Sequence, residues 1–292
     1  MDGTMKATSQ RECVKGWVCF GIIFLSAVLL VDSVNAEEWY EMIQKTKTGT
    51  INWSTGAIQA RGSSKPVDES PEARTAAMQD ARKKACHNLL ETIRLVRINS
   101  ATMVLNNMGI DEKTANNVET LVKDAAVVDT VYLADGTIEE TVQLQMRDEL
   151  ATLLLPKNIQ QFETINFIAT GDLAFRDTDD VYTGLVVDAK GLNATPAMAP
   201  KIIDENGQEI FGSSYVSREF AIQQGMIAYS RDVKAASENS RVAGHPLVVE
   251  GMKVTGAGLS DIVISSTDAA LIKGSPENLL VLKKCRVMIV LD

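Results

Sequence analysis

The chain has 292 residues, is 45% hydrophobic and 23% charged, and carries a formal net charge of −9. These values speak against wholesale disorder, a collagen-like fibre and a multi-span membrane protein. The acidic balance also gives no basic footprint for nucleic acid. Four cysteines are too few for a disulfide-rich scaffold, and the two histidines, His87 and His245, lie far apart in sequence.

Residues 1–36 are predicted to be a secretory signal peptide. Lys6, Arg11 and Lys15 supply a basic start, and Met5 is an alternative first residue. An uncharged apolar run follows from Trp17 to Val31, shorter than the roughly 20 residues a membrane-spanning helix needs. Val34-Asn35-Ala36 then offers a cleavage site before Glu37. Removal of this segment leaves 256 of the 292 residues, an unchanged charge of −9, and Cys86 and Cys285 as the remaining thiols. The residue directly after Ala36 is Glu37 and not a cysteine, so the exported chain is expected to be periplasmic or otherwise exported, soluble and without a lipid anchor.

Two α+β regions are predicted beyond the signal, at 37–160 and 161–292. Each is expected to be a small sandwich of a mainly antiparallel sheet and a packed long helix. In the first, Thr50 to Arg61 carries a strand signal. Ser70 and Pro71 then mark the start of a helix to about Val96. Its apolar positions, Ala73, Ala77, Ala81, Ala85, Leu89 and Ile93, recur every four residues. A second helix is predicted from Asp111 to Ala125. Ala126–Leu133 and Thr137–Met146 flank Asp135-Gly136, a hairpin signal. Met146 to Leu155 suits a short helix or strand, and Pro156 to Gln161 is the linker candidate.

In the second region, Thr183 to Val187 is strand-like, and Asn206-Gly207 predicts a hairpin between Lys201–Asp204 and Gln208–Phe211. One helix is expected from Ser217 to about Ala236. Strands are predicted over Pro246–Val254 and Asp261–Ser265, and short helices over Thr267–Ile272 and Pro276–Leu282. Cys285–Leu291 is apolar enough for a central strand covered on both faces.

The run Ala57 to Gly62, followed by the alanine-rich helix with Ala73, Ala76, Ala77, Ala81, Arg82, Ala85, Leu89 and Ile93, resembles the twenty-kilodalton outer-membrane lipoprotein family. The N-terminal domain of flagellar assembly protein T is similar. The resemblance covers about residues 50–147 and implies an exported, assembly-related envelope protein, with no catalytic residues carried over. The missing lipid-attachment cysteine departs from the lipoprotein pattern.

The residues that could carry chemistry each have a plainer explanation. Cys86 and His87 are neighbours on the long helix, so their side chains point roughly 100° apart and do not converge. Arg82 and Lys83 could lower the Cys86 pKa. His245 precedes Pro246 in a loop without a serine or acidic partner at motif spacing. A Cys86–Cys285 disulfide and two separate thiols are both open. The acidic loop Arg176 to Asp180 does not match a calcium-loop spacing. Gly256-Ala257-Gly258 lacks the residues of a phosphate loop and suits a turn. Ser213-Ser214 and Ser265-Ser266 have no histidine framework. Gly225 inside the expected helix suggests close packing or a partner contact.

No catalytic, cofactor-binding or metal residue is assigned. The sequence therefore points to a non-enzymatic envelope protein acting through other envelope proteins or self-association, with no nucleic acid and no membrane span after cleavage. A periplasmic small-molecule or glycan-binding module is the alternative, and a hydrolase with a site between the two regions is a third.

Overall fold

The computed structural model describes residues 40–157, 159 and 181–292. The signal segment, half of the proposed linker and the acidic loop at 176–180 lie outside the described residues.

Ile43–Lys45 (β1), Gly49–Asn52 (β2) and Ala57–Ser64 (β3) form an antiparallel meander. Helix α1 follows over Pro71–Arg94, as its start signal predicts: the Ser70 hydroxyl accepts from the Ala73 amide, and Pro71 occupies the first turn. The alanine stripe of α1 is buried on β3. Gly62 permits that approach. A Cβ there would sit 2.2 Å from both the Ala81 carbonyl oxygen and the Ala85 nitrogen.

Two helices follow, α2 over Val104–Ile110 and α3 over Glu112–Lys123. Asp111 caps α3 by accepting from the Lys113 and Thr114 amides. The predicted hairpin is then formed by Ala126–Tyr132 (β4) and Ile138–Gln145 (β5). The sheet order is β1-β2-β3-β5-β4, antiparallel throughout, so β4 is an edge. A short helix, α4 at Glu149–Leu154, closes this half.

The second sheet contains Leu185–Asp188 (β6), Ile202–Asp204 (β7), Glu209–Phe211 (β8), Ala228–Ser230 (β9), Leu247–Thr255 (β10), Asp261–Ile264 (β11) and Val287–Val290 (β12). Its order is β8-β7-β11-β10-β6-β12-β9. Two expectations need correction here. First, the sheet is not mainly antiparallel: among the described residues, four of its six pairings are parallel. Helical crossovers between β8 and β9 and between β9 and β10 return the chain to the same end before the next strand of the same direction begins, whereas Ser266–Lys273 (α7) and Pro276–Lys283 (α8) lead from β11 to β12, which runs the opposite way.

Second, no long helix runs from Ser217 to Ala236. Arg218–Gln224 (α5) ends at Gly225, whose φ of 80° is left-handed. The chain then enters β9, and Asp232 caps a separate helix over Val233–Glu238 (α6). Met226 and Tyr229 are buried, and β9 gains β12 as a parallel neighbour. As the terminal apolar run suggests, β12 is buried throughout, between β6 and β9.

The fold is α+β, and the described residues cluster as one compact unit. A single hydrophobic cluster includes Ile51, Ile58 and Leu89 from the first half and Leu185, Ile262 and Val287 from the second. Backbone bonds join the halves: Met198 and Ala199 donate to the carbonyls of Arg97 and Ile98, at 3.0 and 2.7 Å. Trp53 meets Tyr229 edge-on, with ring centroids 5.9 Å apart. Among the described residues no helix is long and apolar enough to cross a membrane.

Candidate functional site

The feature least explained by folding alone is β4. Of its seven residues six are exposed, and among the described residues neither face is covered and no strand lies beside its outer edge. Val127, Val128, Val131 and Tyr132, with Leu133 just beyond, are all exposed large apolar side chains. Asp129 is the single charged residue of the strand. Natural edge strands are usually blunted by charge, proline or covering elements, because open amides and carbonyls invite another strand. This edge has two protections, the Asp129 charge and a register shift between Val127 and Asp129.

A second candidate is the cleft between the halves, a cavity of about 480 Å³ lined by Trp53, Met146, Arg147, Met198, Tyr229 and Arg241, among others. None of its lining residues is acidic, which stands out in a chain of net charge −9. The Arg241 guanidinium is largely buried. It donates to the carbonyls of Gln224, Gly225 and Cys285, at the ends of α5 and α8, where helix carbonyls are partly negative. Burial brings its pKa down to about 10, and Arg147 nearby pushes the same way. Arg241 is therefore still charged at neutral pH. It pins together the segments before β9 and β12. Tyr229 is held similarly: its hydroxyl donates to the Ala197 carbonyl at 2.8 Å and accepts from the Ala197 amide at 2.9 Å. Desolvation raises the pKa of this phenol.

The residues singled out in the sequence do not converge. Cys86 is half-buried and His87 exposed on α1, beside shallow surface grooves. Burial raises the Cys86 pKa, and the opposing pull of Arg82 is smaller, so the expected lowering does not occur. Cys285 is a buried free thiol whose pKa desolvation pushes up to about 12, and Cys86 is also free. His245 is exposed and stacked on Tyr182, with centroids 5.4 Å apart.

Gly256 to Gly258 form the turn between β10 and β11, as expected. That turn receives the segment after α1: the Gly258 amide donates to the Ser100 carbonyl at 2.6 Å, and the Ser100 hydroxyl donates to Asp261. Ser265 caps α7. Gly225 ends a helix and does not lie inside one. Among the described residues, no three His, Cys, Asp or Glu side chains gather as a group able to hold a metal.

Two features escaped sequence reasoning. Arg241 bonds carbonyls 16 to 44 residues away, which no local motif announces. The exposure of β4 left no signal either, since its apolar composition is also that of a buried strand.

The class defined by this geometry is an α+β protein of two sheets on one core, with an open apolar edge and a cationic cleft. Over residues 184–292, which contain the whole second sheet, the chain matches the family model described as Treponema pallidum Tp0624, second domain. A search of curated proteins gives no match.

Proposed function

We propose that this is an exported, non-enzymatic protein of the cell envelope that works through contacts with other envelope proteins or with its own copies, and that the partner docks on the open edge of β4. The observation that carries this reading is the exposure of five large apolar side chains along and just beyond one unpaired edge strand. Strand addition uses such an edge directly, with backbone hydrogen bonds giving affinity and side chains giving selectivity. The export signal at 1–36 and the resemblance of residues 50–147 to envelope families support the location. The test is a photo-crosslinking residue at Tyr132 in exporting cells, with the same residue at exposed Val67 as control. Adducts at Tyr132 and none at Val67 are expected; equal yields at both would overturn the reading. Periplasmic release after cleavage near Ala36 is checked by the N-terminal mass of the purified chain, which should begin at Glu37.

The cleft favours a second reading, a periplasmic module for a small anionic ligand, because two arginines and no acid line it. Its test is thermal stabilisation by inorganic phosphate or a sugar acid, lost in Arg147→Ala.

A further inference from the structure

We propose that the occupant of the β4 edge is a second copy of this chain, paired β4 to β4, antiparallel, about a two-fold axis at Thr130. This rests on the docking reading above and names its partner.

The register follows from hydrogen-bond parity. The Leu133 amide donates to the Thr137 carbonyl at 2.9 Å, so Leu133 directs its backbone groups inward, toward β5. Backbone direction alternates along a strand, so Val131 and Asp129 also face β5, while Tyr132 and Thr130 present their amides and carbonyls to the open edge. An intermolecular ladder must use these outward residues. Only three symmetric axes fall near the middle of the strand, at Asp129, Thr130 and Val131.

An axis at Asp129 sets two carboxylates directly opposite each other, a destabilising pair. An axis at Val131 shifts the paired segment to Asp129–Leu133, past the end of β4 at Tyr132. The axis at Thr130 sets threonine against threonine, whose hydroxyls can bond across the pair, and Val128 against Tyr132, a β-branched–aromatic pair. Asp129 then faces Val131, with no like charge opposite. The register shift between Val127 and Asp129 ends regular pairing at one end of each strand, which confines the ladder to about Val128–Tyr132 in each copy. A partner for this edge must itself be an exposed strand, apolar, and free of a carboxylate opposite Asp129. The strand meets all of these requirements in its own second copy, in this one register.

The experiment uses the full-length chain, expressed with its own N-terminal segment, and compares single introduced cysteines in a Cys86→Ser background, where Cys285 is buried. In the proposed register the Thr130 Cα atoms lie about 5.5 Å apart, within disulfide range. Thr130→Cys should oxidise to a covalent dimer. Tyr132→Cys should not, because Tyr132 of one copy lies about 14 Å from Tyr132 of the other, four residues along the strand. By light scattering, the chain without introduced cysteines should show a concentration-dependent approach to twice the monomer mass, lost in Val128→Lys with unchanged circular dichroism. A monomer mass at every concentration, or equal crosslinking of both cysteines, overturns the self-pairing. The crosslinker at Tyr132 separates the two levels. An adduct holding a different protein overturns the self-pairing and leaves the docking edge standing. Absence of any adduct overturns both.

Discussion

Strands β4 and β12 are both short, valine-rich and nearly free of charge, yet one is exposed on both faces and the other buried on both. The difference lies in what surrounds them. β12 has a parallel neighbour on each side, and the crossover connections of such a sheet put helices on its faces. β4 leads into a tight hairpin and lies at the edge of an antiparallel sheet whose helix α1 packs on β3 and β5, short of that edge. Apolar composition therefore means core in one sheet and contact surface in the other. The sharpest test is truncation in the buried strand. Ile289→Ala should cost about 2–5 kcal/mol, from lost burial and the cavity left behind. Urea denaturation should show a lower midpoint with an unchanged slope.

The first sheet has its own rigid contact, where α1 lies against β3 at Gly62. The two nearest atoms to an added methyl are backbone, which cannot rotate aside. Gly62→Ala should destabilise by about 1–3 kcal/mol as the helix is pushed away. A fall of less than half a kcal/mol in the same denaturation assay would mean that the helix moves freely on the sheet. Between the sheets, Tyr229→Phe removes a buried hydroxyl that serves both backbone groups of Ala197. The cost should be about 1–2 kcal/mol, because a buried amide and carbonyl are left without partners. Hydrogen exchange at the Ala197 amide should accelerate.

Local signals were legible where a residue's neighbours in sequence are also its neighbours in space. Ser70-Pro71 and the four-residue alanine spacing located α1, Asp111 located α3, and two turn dipeptides located hairpins. The failures share one cause. The expected helix from Ser217 to Ala236 breaks at Gly225 because the three residues of β9 pair with β12, sixty residues onward. Nothing as short as Ala228-Tyr229-Ser230 shows a strand period. The parallel direction of the second sheet depends on the order in which crossovers return the chain, which local periodicity does not encode. The arginine cleft and the exposed edge are equally nonlocal, being set by which strands end a sheet and which loops meet.

The smallest expected effect bears hardest on β4. Val131 is 38% exposed, and its side chain lies on an uncovered face. Val131→Thr keeps the β-branched shape and strand preference while replacing a methyl with a hydroxyl. In a core strand that change would bury an unpaired polar group, at a cost of about 1–3 kcal/mol. At an exposed edge it should change the stability of the isolated chain by less than about 0.5 kcal/mol in either direction. Denaturation must be measured at a concentration where light scattering shows monomer, because any assembly that covers β4 would add stability by mass action. A near-zero effect in the monomer together with a loss of several-fold in association would mark Val131 as a residue of the contact surface. A large effect in the monomer would mean that β4 belongs to the core, like β12, and would remove the contrast between the two sheets.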